Sequence, residues 1–116
     1  MTRPYIHFGG RLFRVAKSSG NSQTGDDTIF KYDQRDSLIT ATYSGGEIRF
    51  GQLIGLMGEN GLLDFRYHHV TADGQIRTGM GISQPELLDG NKLRLHERWQ
   101  WTSGDQSSGT STLEEI

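Results

Sequence analysis

Leu93-Arg94-Leu95-His96-Glu97-Arg98-Trp99-Gln100-Trp101-Thr102-Ser103-Gly104 alternates residue by residue before it ends in a turn-forming Ser-Gly pair. Leu93, Leu95, Glu97, Trp99 and Trp101 fall on one side, and Arg94, His96, Arg98 and Gln100 on the other. A period of two belongs to a β-strand with one buried face, because successive side chains point to opposite sides of a sheet. A helix would scatter the same apolar residues around its circumference.

The same texture extends in both directions. Turn residues recur about every dozen positions, at Gly9-Gly10, Ser18 to Asp26, Asp33 to Asp36, Ser44-Gly45-Gly46, Gly58 to Gly61, Ala72-Asp73-Gly74, Asp89-Gly90-Asn91 and Ser103 to Gly109. Between them lie segments rich in Thr, Ile, Val, Leu and aromatics, which predict eight strands near 11–17, 27–33, 37–44, 47–57, 62–71, 75–84, 92–102 and 110–116. The best helical stretch, Gln84-Pro85-Glu86-Leu87-Leu88-Asp89, is long enough only for one turn inside a connection. Every connection is short enough for a hairpin, so sequence neighbours should be sheet neighbours. An even strand count lets the first and last strands pair, which removes both edges. The expected fold class is all-β: a single domain over 1–116, an eight-stranded antiparallel up-and-down meander barrel.

At 116 residues with net charge −2 and pI near 6, the chain offers no positive field for nucleic acid and no charge block for a membrane surface. With no cysteine there is no disulfide framework or thiol chemistry, which fits a reducing cytoplasm. The opening Met1-Thr2-Arg3-Pro4-Tyr5 lacks the apolar run of a signal peptide, so the expectation is a soluble cytoplasmic protein. The 16 glycines against 2 prolines are scattered without periodicity, as turns and strand bends require.

In a meander, connections 1–2, 3–4, 5–6 and 7–8 share one end of the barrel. That end receives the long polar loops 18–25 and 103–109, suited to act as lids. By parity, the inward residues nearest it include Phe30, Tyr43, Ile48, Tyr67, His69, Ile76, Thr78, Trp99 and Trp101, whereas Ile39, Ile54, Leu56, Ile82, Leu93 and Leu95 line the other end. An apolar pocket with a few convergent polar groups is the usual form of a small-ligand site, and eight strands can enclose one small ligand.

Trp99-Gln100-Trp101-Thr102-Ser103-Gly104 is similar to the seventh-strand Trp-x-x-Thr-Ser-Gly segment of avidins and streptavidins, and Thr40-Ala41-Thr42-Tyr43 resembles their third-strand Thr-Gly-Thr-Tyr. The resemblance implies an avidin/calycin-like barrel in which Tyr43 supplies a hydrogen bond and Trp99 an apolar wall to the ligand. It places Tyr67 or His69 at an aromatic wall on strand five and Thr78 at a hydroxyl on strand six. Three family features are missing: Gly45 stands where a hydroxyl follows the third-strand Tyr, the last strand carries no Asp near its end, and the last long loop carries no Trp. Neither biotin nor an avidin-type tetramer is therefore carried over.

The ligand-site candidates are Tyr43, Tyr67, His69, Thr78, Glu97 and Trp99, with an unidentified small molecule as partner and no cofactor. Glu97 is the least ordinary, because its parity places a carboxyl between Leu95 and Trp99, where an unpaired charge is costly. It is either a ligand anchor or acid/base group of raised pKa, or part of an internal network with Tyr67, Gln52 or an inward-bent Arg. An enzyme pairing Glu97 with His69, and a filled barrel serving protein interaction, are the competing functions. His68 and His69 point to opposite faces and cannot share a metal. No serine sits on a strand–turn–helix elbow, so no catalytic residue is assigned. Small proteins of this look sometimes carry an N-acetylglutamate synthase label. Their closest approach to an acetyltransferase phosphate loop here, Ile76-Arg77-Thr78-Gly79-Met80-Gly81, starts with the wrong residue and precedes no helix. Gly51, Gly55, Gly79 and Gly81 would either leave a smooth exterior for a homodimer or provide the bends that a closed barrel needs.

Overall fold

A computed structural model describes residues 6–116; Met1 to Tyr5, read above as lacking a signal peptide's apolar run, lies outside the described residues. Eight strands follow in order: β1 (Leu12–Ser18), β2 (Ile29–Arg35), β3 (Leu38–Gly45), β4 (Ile48–Met57), β5 (Leu63–Thr71), β6 (Ile76–Leu87), β7 (Leu93–Trp101) and β8 (Ser108–Glu115). Each pairs antiparallel with the next, and β8 returns to β1 through Phe13–Glu115, Val15–Leu113 and Ser18–Ser111, closing the barrel as the meander predicts. In place of a helical turn at 84–89, β6 continues to Leu87, with Pro85 opposite Leu95, and a 3-10 turn follows at Asp89–Asn91. The ladder to β7 keeps that stretch extended.

One end of the interior is a dry core. Phe13, Tyr32, Ile39, Leu63, Leu93, Leu95 and Leu113 are fully enclosed, and Phe8, just ahead of β1, packs its ring 5.4 Å from that of Tyr32. At the other end, β1 and β2 pair only over Leu12–Arg14 against Ile29–Lys31. Beyond that short seam the chain from 19 to 28 folds over the barrel mouth.

Alternation fixes the faces of β7 as expected, but β4 and β6 are turned the other way. On β4, Ile48 points inward, Arg49 and Phe50 both face out, and the inward set is then Gly51, Leu53 and Gly55. The cause is a bulge between Ile48 and Phe50, since one extra residue flips every side chain beyond it. On β6 the inward positions are Gly79, Gly81 and Ser83, while Ile76, Thr78, Met80 and Ile82 face outward. The expected inward placements of Gln52, Ile54, Leu56, Ile76, Thr78 and Ile82 are therefore corrected. So is the smooth glycine exterior, because these glycines face in.

The outer face of β4–β6 instead carries exposed apolar side chains among polar ones, with Ile54, Leu56 and Ile76 at 55%, 60% and 72% exposure. The inward glycines make room for rings. Gly51 is the ladder partner of Tyr43, Gly79 of Tyr67, Gly81 of Phe65 and Gly109 of Trp99. A Cβ at any of these four would come within 2.1–2.5 Å of its partner's ring or hydroxyl, far inside contact distance. Each aromatic leans over the bare backbone of the next strand, a packing that only glycine permits.

Candidate functional site

The rings at the open end form a connected belt. Phe30 stacks on Tyr43 at 4.6 Å between centroids, and Tyr43 meets His69 edge-on at 5.7 Å. Trp101 stands edge-on to Tyr67, His69 and Trp99, each at 5.6 Å. Offset and edge-to-face arrangements of this kind are the favoured ones for aromatic pairs. The belt surrounds a cavity of about 50 Å³ that also touches Ser22, Gln23 and Thr24 of the 19–28 loop and ends on Glu97 and Ser111. Arg77 stands at the rim with its guanidinium 5.7 Å from the Trp101 ring.

Hydrogen bonds hold the walls in place. Gln23 Oε1 lies 2.8 Å from His69 Nε2, so that nitrogen carries the proton, and Nδ1 accepts from the Tyr43 hydroxyl at 2.9 Å. This Tyr43–His69–Gln23 chain ties the mouth loop to the barrel wall. Burial, reinforced by the Arg77 and His68 charges, lowers the His69 pKa to about 4 and keeps the ring neutral. Trp99 Nε1 donates to Ser111 Oγ at 2.9 Å, and Trp101 Nε1 donates to the Asn21 carbonyl at 3.2 Å.

At the floor the accounting is incomplete. Glu97 is only 7% exposed, and its Oε2, the Tyr32 hydroxyl and the Ser83 hydroxyl have no hydrogen-bond partner among the described residues. Ser83 stands opposite Glu97 in the ladder, close enough to temper the acid's titration yet outside hydrogen-bond geometry. Burial pushes the Glu97 pKa up to about 8, so its carboxyl is mainly protonated at neutral pH. Buried polar atoms are almost always satisfied, and an unpaired carboxyl oxygen on a residue that lines a cavity calls for a reason.

Over residues 6–116 the chain matches the family described as avidin-like protein. The chain belongs to that family. No curated protein and no solved structure matches it. In this avidin-like barrel, Tyr43 and Trp99, the two residues the resemblance singles out, both border the cavity, as do Tyr67, His69 and Glu97. Thr78 does not: it lies on the outer face, with its Oγ1 2.7 Å from Thr102 Oγ1, because the inner positions of β6 are glycines. The 18–25 loop forms the lip, whereas no residue of 103–109 borders the cavity. That second loop supports the first: Asn21 Nδ2 donates to Ser107 Oγ at 3.0 Å and to the Ser108 carbonyl at 2.8 Å.

None of the partners anticipated for Glu97 bonds to it. Gln52 faces out to His68 Nε2 at 3.0 Å, and the flanking arginines remain outside, where Arg94 pairs with Glu114. Gln23, Tyr32 and Ser83 were not anticipated individually. Gln23 sits in a loop without periodicity. Tyr32 reads as ordinary core, and Ser83 could be placed only by a strand parity that its glycine neighbours conceal.

Proposed function

We propose that this avidin-like barrel binds a small organic molecule, without turnover, in the aromatic cavity bounded by the 18–25 loop. Tyr43, Tyr67, His69, Glu97 and Trp99 are the residues assigned to it. The observation that carries this reading is Glu97: a buried carboxyl at the end of a cavity, with an oxygen no neighbouring side chain satisfies. A filled interaction module would gain nothing from that arrangement, since an apolar residue of similar volume would be less costly there. The enzyme alternative gains no support from His69, whose two ring nitrogens are both engaged. The reading takes 1–116 as a single β-barrel domain, and a chain without cysteine fits a reducing compartment such as the cytoplasm.

The test is native mass spectrometry of freshly purified protein, with a thermal-shift screen of small metabolites. A co-purifying molecule, or a stabilisation lost in Trp99→Ala, is the expected result. Neither adduct nor shift would move the function to the outer surface.

The proposal includes a homodimer that joins through the outer face of β4–β6. There Ile54 and Met80 flank Arg66, and Leu56 and Ile82 flank Asp64, with Arg66 paired to Asp64 of its own chain at 2.7 Å, so a two-fold axis through β5 would bring two such ion pairs together. Sedimentation as a monomer at tens of micromolar would remove it.

A further inference from the structure

We infer that the molecule received by this cavity is a small organic cation whose ammonium group pairs with Glu97 at the cavity floor. The inference rests on the binding reading above and narrows it to a ligand class. Among the described residues, Glu97 is the only acidic side chain that borders the cavity and no Lys or Arg borders it; Arg77 stays at the rim, over Trp101.

The other groups facing Glu97 are neutral. Tyr32 comes from β2, Tyr43 from β3, Tyr67 from β5, Ser83 from β6 and Ser111 from β8. The three tyrosines are held above their ordinary pKa, chiefly by burial, and His69 is held neutral between Tyr43 and Gln23. An ammonium has three donors and no acceptor. Glu97, whose Oε2 is unpartnered, borders the cavity, the unpartnered Tyr32 and Ser83 hydroxyls lie behind its lining, and the walls offer π-faces that attract cations. A carboxylate ligand would meet an acidic group with no countercharge beside it.

The proton balance makes the class testable. At pH 7 a carboxyl of pKa about 8 carries a proton most of the time. Pairing with an ammonium ionises it, so the O–H bond breaks and the proton leaves to solvent, close to one per molecule bound.

The probes are ethylammonium, its neutral counterpart ethanol and the anion acetate, compounds small enough for a cavity of about 50 Å³. Each is titrated at pH 7 against ¹⁵N-labelled protein while the Trp99 and Trp101 indole resonances are followed. Calorimetry in two buffers of different ionisation enthalpy counts the protons released. The expected result is saturable binding of ethylammonium in preference to both other probes, with proton release that fades above pH 8. In Glu97→Gln, which keeps the shape, ethylammonium should weaken about ten- to hundredfold, the range of a charge-assisted hydrogen bond, while ethanol is unaffected.

Ethanol or acetate binding as tightly as ethylammonium would overturn the inference and leave the binding reading standing. So would an ammonium preference that survives in Glu97→Gln, or binding without proton release. Silence of the indoles to all three probes would overturn the binding reading and this inference together.

Discussion

Glu97 and His69 should write opposing pH dependences into the stability of the fold, and their cancellation makes a sharp test. Burial raises Glu97 from an ordinary 4.5 to about 8. Between those values the unfolded chain has lost the proton and the folded chain has kept it, so stability falls with rising pH by about 1.4 kcal/mol per unit. Burial lowers His69 from 6.5 to about 4. Between those values the unfolded chain holds the extra proton, so stability rises with pH by the same slope. From about 4.5 to 6.5 the two effects offset each other; from 6.5 to 8 only the Glu97 effect remains. Over that 1.5-unit window the protein should lose about 2 kcal/mol, then level off.

The assay is urea denaturation at half-unit steps from pH 4.5 to 9, with extrapolation to water at each. Glu97→Gln should abolish the decline above pH 6.5 and leave a rise below it. His69→Gln should decline steadily from pH 4.5 to 8. A Glu97→Gln protein that keeps the wild-type slope between pH 6.5 and 8 would refute the assignment of a buried, protonated acid.

Three other outcomes follow from the packing. Gly79→Ala places a Cβ 2.1 Å from the Tyr67 ring and hydroxyl, which must retreat to at least 3.4 Å; the expected loss is about 3 kcal/mol, the upper part of the overpacking range, measured against Gly20→Ala, which meets nothing within 4 Å and should be neutral. Truncation before Ser108 removes the strand that pairs with both β1 and β7 and should abolish cooperative thermal unfolding followed by circular dichroism. Gln23→Ala releases the mouth loop from His69, and amide hydrogen exchange at 21–25 should speed up at least tenfold while that of β7 stays unchanged.

The barrel was legible in the sequence because its strongest signals are local. Alternation in Leu93–Trp101, turn residues at each junction and hairpin-length connections lead to a closed meander without any long-range information. The faces of β4 and β6 were not legible, for one physical reason: hydrophobic periodicity assumes that the inward side chain is the large one. Here the inward positions of β6 are Gly79 and Gly81, so the apolar residues that remain visible, Ile76, Met80 and Ile82, point to solvent. On β4 the bulge after Ile48 compounds the same effect. Thr78 was misplaced with its strand, whereas Tyr43, Tyr67, His69, Glu97 and Trp99 lie on odd-numbered strands whose parity is intact. The solitary state of Glu97 is a matter of who fails to reach it, and no single segment carries that information.

The glycine–aromatic ladder pairs divide labour between strands. β3, β5 and β7 present the rings and the acid, while β4, β6 and β8 present recesses in their backbone, each cut to one ring. Cavity size in such a barrel is set partly on strands that carry neither these rings nor the acid. Adding a methyl to a recess would tip a ring toward the barrel axis and shrink the chamber without replacing any ring or the acid. Descendants of this sequence could thus accommodate larger or smaller guests by editing the even strands, while the odd strands keep the same chemical question at the floor.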